Sequence, residues 1–531
     1  MKKIFTILGL LSITSFYAQF YGLLDVNKIK AEIKYTDLIF DNYHFPPDAL
    51  TETILFIKPM IMGIDSITGQ LKGFPHLLFE NHKTGPLTTD GMGNISSSVA
   101  MQYYKVWSIS RDEIDDFIEA YNNGSVTNGT YTIPSSILTW PAHGPSGYSQ
   151  QLAPFFDRNS DGIYNPMHGD YPIMKGDKML YFIMNDNTSP NFNPYFAKIE
   201  MHISAWACKL PAYPNHPLNR AVFVEFRFIN RSFTAYLHTN VALFAESDIG
   251  GYCDDFFQTN VSTKSILFFN GDGYDESCGG LEGYLDKPPL QSFSIVRLRH
   301  NDVEITDDTI MFKSTAYVPN GEPLSDFLNF YRYSNYQNWD GSPQTFLNTG
   351  IKSRYYMPGY TDPQHIGTWG VNPGVIWNEI TANNIPGDRR GMLSSGSFTF
   401  RPGDEITATY MLLTSQLPNF NQEALISHNS NEYHQLMQLN YCDVFNDLQV
   451  TNEYLQHHIR VHPNPSTENL YMDYDGEIHR MAIYDISGKC RMQILNSSNI
   501  INVSELDAGV YIIYAELKEH EIPVKLKFIK Q

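Results

Sequence analysis

Ala221-Val222-Phe223-Val224-Glu225-Phe226-Arg227-Phe228 is the stretch that decides the fold. Its apolar residues alternate or cluster over strand length, and it is rich in β-branched and aromatic side chains. Residues 237–244, 265–269 and 406–413 repeat the pattern. Gly, Pro, Asn and Asp separate these runs, which is the punctuation of antiparallel β structure. Helical patterning is sparse. Residues 105–121 predict one helix, with Ser110 as its cap and Asp112, Glu113, Asp115 and Asp116 near its positive end. Residues 422–448 predict another. The expectation is a mainly β protein: a β-sandwich-type body with a few helices.

Composition agrees and excludes some functions. Aromatic residues make up 14 %, with 34 Tyr and 33 Phe, while charged residues are 18 %. At 531 residues the chain is too long for one ordinary domain. A net charge of −20 argues against nucleic-acid binding, which needs a cationic footprint. Five cysteines are too few for a disulfide scaffold. Cys253 and Cys278 lie in Gly/Asp-rich loops, and the spacing leaves open whether they pair. Cys208 sits in an apolar run and reads as a buried free thiol, and Cys442 and Cys490 read as unpaired.

The sharpest local motif is Asp157-Arg158-Asn159-Ser160-Asp161-Gly162-Ile163. Oxygens at positions one, three and five can converge on a hard cation, glycine at six allows the sharp turn, and the Ile163 carbonyl adds a donor. His168 stands where an EF-hand loop carries its bidentate glutamate, and Asp170 follows two residues later. The expected metal set is Asp157, Asn159, Asp161, Ile163 and Asp170 around a structural calcium ion. The competing reading is a turn whose carboxylates bind their own backbone. A second acidic cluster holds Glu246, Asp248, Asp254, Asp255, Asn260, Asn270, Asp272, Asp275 and Glu276. It reads as a metal site, a catalytic carboxylate pair or a solvated loop. Asp388-Arg389-Arg390 reads as a buried salt-bridge hub. Gly144-Pro145-Ser146-Gly147 is no nucleophile elbow, and H-E-x-x-H does not occur.

The two ends of the chain read as addresses. Lys2 and Lys3 precede an apolar run from Ile4 to Tyr17, and Ala18-Gln19 is a cleavage point, so 1–18 reads as a signal peptide. The run is shorter than the roughly 20 residues a spanning helix needs. At the other end stand His462-Pro463-Asn464-Pro465-Ser466, then Ile483-Tyr484-Asp485-Ile486-Ser487-Gly488-Lys489. Leu506-Asp507-Ala508-Gly509-Val510-Tyr511 and a terminal Lys525 to Lys530 run follow. This order resembles the type A sorting domain of the Bacteroidota type IX (Por) secretion system, here a small Ig-like β-sandwich of about seven strands. Pro463 and Pro465 suit a hinge before it. The organisation expected is a signal at 1–18, a body at 19–450, a linker at 451–456 and the sorting domain at 457–531.

The body resembles large type IX cargo proteins of the same group. The likeness lies in Leu138-Thr139-Trp140-Pro141-Ala142-His143-Gly144, the Asp157 loop, Gly169-Asp170-Tyr171-Pro172, Asp248-Ile249-Gly250 and Pro386-Gly387-Asp388-Arg389-Arg390. Asn260 replaces an aspartate of that group. The resemblance implies export through the periplasm to the cell surface or medium, with the secretion machinery as partner, and carries over no activity. The expected function is non-enzymatic, adhesive or glycan-binding, toward an extracellular glycan or matrix ligand. The alternative is a secreted polysaccharide or protein hydrolase that uses carboxylates of the acidic loops.

Overall fold

The computed structural model describes residues 21–34, 39–75, 83–187, 195–317, 326–438, 442, 460–473, 478–485, 490–495, 500–517 and 524–531. The expected signal segment and the 451–456 linker lie outside the described residues.

The stretch around Phe223 is the strand Ala221–Asn230, central in a ten-stranded antiparallel sheet. Ile199–Ala207 pairs on one side and Glu405–Ser415 on the other, with Phe226 opposite Ile203 and Ala408. Outward from Glu405–Ser415 come Leu290–His300, Ser265–Asn270 and Asp255–Asn260; outward from Ile199–Ala207 comes Lys178–Asn185. A five-stranded sheet of Lys313–Tyr317, Arg390–Phe400, Tyr236–Glu246, Phe56–Asp65 and Leu71–Pro75 packs against it. The shared core contains Val224, Phe226, Ile203, Tyr410 and Leu412 from the larger sheet, and Ile57, Ile61, Leu243 and Leu393 from the smaller. The β-sandwich expected from strand periodicity is present.

A third layer covers the other face of the large sheet. Trp206, Phe223, Met411 and Leu413 point away from the sandwich core, opposite in sense to Ala205, Val224 and Leu412. They are buried beneath residues of the 87–174 segment, such as Phe117, Trp140 and Leu152, together with Tyr433 and Leu436 of helix Gln422–Gln438. Ser110 caps helix Arg111–Asn122 with a full capping box to Glu113. The start expected at residue 105 is corrected: Trp107–Ser110 is a strand paired with Lys178–Tyr181. Tertiary pairing overrides helical spacing there. On the outer face of the smaller sheet, helix Phe327–Tyr333 buries Phe327 and Phe330 against Met60, Met62 and Phe244.

Cys208 is not a free thiol and Cys442 is not unpaired: they form a disulfide, with Cα atoms 5.7 Å apart and a sequence separation of 234. Cys208 directly follows strand Ile199–Ala207, and Cys442 lies at that strand's end, where Trp206 Nε1 donates to its carbonyl at 2.7 Å. Sequence separation hides such proximity. Cys253 and Cys278 are also paired. The expectation for Cys490 concerns a side chain outside the described residues.

The C-terminal segment folds as two small antiparallel sheets. One contains Arg460–His462, Asn469–Asp473 and Ile500–Asn502; the other contains Cys490–Leu495, Ile478–Asp485, Gly509–Leu517 and Val524–Lys530. Their core includes Leu470, Met481, Ile483, Ile501, Ile513 and Phe528. The prolines do not form a hinge ahead of this module. Arg460–His462 already pairs with Asn469–Asp473, so Pro463 and Pro465 lie inside it, at the turn that ends the first strand.

Candidate functional site

Three places concentrate chemistry: a cleft on the large sheet, the Asp157 loop at its wall, and the acidic loops around Cys253–Cys278.

The cleft encloses about 520 Å³, within the range of small-ligand sites. Its floor is the polar end of the large sheet's outer face: Tyr181, His202, Ser204, Glu225, Arg227, Arg299 and Thr407. Its wall comes from residues 142–143 and 150–155, with Gly162 and Lys175. Strand alternation puts these groups together. Glu225 and Arg227 share a face with Phe223, and His202 and Ser204 share a face with Trp206.

The floor is an ordered chain of hydrogen bonds. The Tyr181 hydroxyl donates to His202 Nδ1 at 2.6 Å, and His202 Nε2 donates to Glu200 at 2.8 Å. Glu200 also accepts two bonds from Arg231, at 2.8 and 3.1 Å. Burial, reinforced by Arg227, pushes the imidazole down to about 4, so His202 is neutral at pH 7 and its bond to Glu200 is not an ion pair. Burial alone would raise the Glu200 carboxyl, but the His202 and Arg231 bonds outweigh it and hold it at about 2. Burial holds the Tyr181 hydroxyl well above the usual phenol range. Beside this chain, Lys175 donates to Glu225 at 3.0 Å, and Thr409 donates to the same carboxylate oxygen at 2.9 Å. Lys175 also lies over the Trp206 ring, 4.6 Å from its centroid.

The Asp157 loop meets the cleft wall through His143. His143 Nδ1 donates to the Gln150 carbonyl at 2.6 Å, and Nε2 accepts from the Tyr164 N–H at 2.9 Å. Within the loop, Asp157 accepts the N–H groups of Asp161 and Gly162, and Asp161 accepts that of Ile163. The Asn159 amide donates to Asp161 at 2.8 Å. Gly162, at φ 75°, makes the turn that a side chain would strain. Asp170 is fully buried, and its two oxygens accept the N–H groups of Arg158 and Asn165, closing the loop at its base. These bonds are those of the competing turn reading; Asp157, Asn159, Asp161 and the Ile163 carbonyl share with it only the donor type that a hard cation takes, and Asp170 is corrected from ligand to backbone clamp.

The second acidic cluster is solvated only at its rim, where Asp272 and Glu276 are exposed. Asp248, Asp255, Asn270 and Asp275 are all buried. Asp275 accepts from Gly251 and Tyr284, and Asp255 from Ile249 at 3.0 Å. Burial, with neighbouring carboxylates adding to it, raises Asp248 and Asp275 to about 7 and Asp254 to about 6, and lifts Asp255 well above the ordinary range. Asn260 is drawn away from this cluster and donates to Ser430. Asp388-Arg389-Arg390 is the hub expected: Arg389 pairs with buried Glu379 at 2.8 Å, and Arg390 reaches Glu246 and Asp388 at 2.6 and 3.0 Å. Among the described residues no three His, Cys, Asp or Glu side chains are disposed to hold a metal ion. Both acidic loops combine carboxylates with an asparagine oxygen, which that arrangement does not include.

Sequence reading missed the cleft. Glu225 and Arg227 stood in the quoted strand, but only strand pairing sets them beside His202 and Tyr181. Their one signal was two charged residues on one face of an otherwise apolar run.

In the C-terminal module the motif and the chain end are joined. Asn464 Oδ1 accepts from the Ile529 N–H at 2.9 Å, and its amide donates to the Lys527 carbonyl at 3.1 Å. Ser466 exchanges backbone bonds with Ile529 and Gln531. The Tyr511 hydroxyl donates to the Asp507 carbonyl at 2.9 Å while its ring stacks on Phe528 at 5.5 Å. The separate sequence blocks are thus parts of one contact set.

A search of curated proteins returned no match. Among solved structures, one titled a polysaccharide lyase is similar at 7 % identity, covering 72 % of this chain and 39 % of its own length. Its TM-score of 0.17 is too low to indicate a shared fold. The chain thus spans about 39 % of that structure's length. No helix among the described residues is long and apolar enough to cross a membrane. Residues 460–531 match the secretion system C-terminal sorting domain family, which makes this chain a cargo protein of the type IX secretion system, destined for secretion or the cell surface.

Proposed function

We propose that the exported body is a non-enzymatic glycan-binding protein whose cleft takes an acidic saccharide, with a structural calcium ion in the Asp157 loop stiffening one wall. The observation that carries this reading is the placement of Arg227 and Arg299 on one cleft, with Lys175 and Glu225 paired beneath it and Asp302 and Glu405 as the nearby acids, in a chain of net charge −20. Two arginines on one cavity of an otherwise acidic chain favour an anionic ligand and disfavour a cationic one. Ser204, Gln150, Gln151 and Thr407 add hydrogen-bonding groups suited to hydroxyls, and Phe155 and His143 supply ring surface. Calcium enters as support. The Asp157 turn ends at Tyr164, whose N–H is held by the wall residue His143.

The hydrolase reading requires the acidic loops to face a substrate. Asp255 and Asp275 are fully buried and both carboxylate oxygens of Asp254 are shut off from solvent, which favours the binding reading.

The test is an array of neutral and uronate-containing oligosaccharides probed with the purified chain, with and without a calcium chelator. Binding confined to acidic glycans is expected. Arg227→Gln should weaken it about tenfold, since one charge-assisted contact contributes roughly 1.5–3 kcal/mol. Chelation should weaken wild type and leave Asp157→Ala/Asp161→Ala at its chelated level. Absence of acidic-glycan binding, or cleavage of the bound glycan, would overturn the proposal.

A further inference from the structure

The acidic loops hold an uncommon set of atoms. Asp255 and Asn270 are cross-strand partners at the open end of a hairpin and are both fully buried. Asp255 Oδ1, Asn270 Oδ1 and both carboxylate oxygens of Asp254 are closed to solvent, and none has a hydrogen-bond partner. Asn270 and Glu276 both lie beside Asp254, and the Asn270 amide donates to the Asp272 carbonyl. Four unpaired acceptors in one buried locality are costly, because each has lost water and gained nothing.

Charge sharpens the point. The groups whose charge Asp255 feels are Asp248, Asp275 and Asp254; those for Asp254 are Glu276 and Asp272. Each is a carboxylate, and among the described residues no lysine or arginine forms an ion pair with Asp254 or Asp255 as Lys175 does with Glu225; Arg390 reaches only as far as Asp248. The backbone is built closely around them. A Cβ on Gly250 would stand 2.2 Å from Asp275 Oδ2, one on Gly251 2.0 Å from the Glu276 carbonyl, and one on Gly271 2.7 Å from the Asp254 carbonyl. The Cys253–Cys278 disulfide ties the two acidic segments together beside them.

We propose that Asp254, Asp255 and Asn270 form a second, structural cation site for calcium, independent of the Asp157 loop. An all-oxygen donor set with carboxylate and amide members suits a hard divalent cation and not zinc or copper. The ion supplies the positive charge that the surrounding side chains lack and occupies the acceptors that no donor reaches. Its role is to hold the two loops on the edge of the large sheet, since Asp255 begins the sheet's last strand.

The experiment is calorimetric titration of the decalcified full chain with calcium chloride, repeated with terbium(III) luminescence. Asp157→Ala/Asp161→Ala serves as background, so that failure of the first loop cannot hide the second. That background is expected to retain a saturable calcium site, and adding Asp254→Asn should remove it, lowering stoichiometry by about one ion per chain. Asp254→Asn is chosen because it removes the charge while keeping the size of the side chain and one oxygen. Thermal melts keep the result interpretable: in chelator the variant should melt at or above its parent, and only the calcium-induced rise should vanish. A background protein that binds no calcium, unchanged stoichiometry in Asp254→Asn, or an equal drop in melting temperature with and without calcium would each overturn the proposal.

Discussion

Beneath the cleft, buried carboxylates meet cations: Glu225 meets Lys175, and Glu200 meets Arg231 with neutral His202 beside it. Around the Cys253–Cys278 disulfide, buried Asp255 and Asp275 accept backbone N–H groups and face other carboxylates, while Arg390 reaches only the outer members Glu246 and Asp248. Both regions belong to the same large sheet, and both have removed charge from water. The first closes its electrostatics from within, and the cost of desolvation is offset by Coulomb attraction and hydrogen bonds. The second leaves negative charge unbalanced. Burial of charge is therefore no indicator of function by itself. What distinguishes the regions is whether the partner is a side chain of this chain.

The sharpest way to break the comparison is to make the first region resemble the second. Lys175→Met strands Glu225 in a site where Lys175 is 2 % exposed, and should cost about 3–5 kcal/mol. Lys175→Met/Glu225→Leu should recover much of that loss. Urea denaturation of both variants measures it; equal stabilities for the single and double changes would show that the pair is not coupled.

Acid should act on the cleft region next most strongly. His202 is held down at about 4 and Glu200 at about 2, both below their unfolded values. Between pH 6.5 and 4 the unfolded chain takes up a proton on this histidine that the folded chain refuses, so stability falls as pH falls. Below about 4.5 the same holds for Glu200 until its folded value is passed. A loss on the order of 2–3 kcal/mol from the histidine is expected, read from melting temperature against pH. His202→Gln should flatten the slope between pH 6.5 and 4; an unchanged slope would assign it to other groups.

In the acidic region calcium replaces the missing lysine. At one hundred times Kd it should add about 2.7 kcal/mol per site. Asp255→Asn should erase that increment from its own site while Lys175→Met leaves it intact. Denaturation with calcium and with chelator separates the two. The smallest effect belongs to Thr409→Val, which removes one of two donors to Glu225 while leaving Lys175 in place. A cost of about 1.5 kcal/mol is expected in the same urea assay; a cost matching Lys175→Met would mean that the hydroxyl, not the ammonium, secures the carboxylate.

Much of the fold was legible in the sequence because strands announce themselves locally. The runs around Phe223, residues 237–244 and residues 406–413 each became a strand with ends within about two residues of expectation. Ser110 was legible as a cap because capping is decided within one helical turn. Trp107–Ser110 was misread because its strand pairing to Lys178–Tyr181 comes from outside any local window. The Cys208–Cys442 bond and the cleft floor escaped for the same reason.

The sequence by itself determined the class of structure, the export module and the arginine hub. Periodicity, turn residues and the blocks from His462 to Lys530 are short-range or ordered features that a linear reading retains. Tertiary structure alone decided which charges are paired. Glu225 and Asp255 are both acidic residues in aromatic strands, and nothing near them in sequence tells them apart. Lys175 lies fifty residues from Glu225 and reaches it only because the third layer folds back over the sheet. Among the described residues no lysine or arginine forms an ion pair with Asp255, whose charged neighbours are Asp248, Asp275 and Asp254. Coulomb interaction depends on distance and dielectric, and both are set by packing.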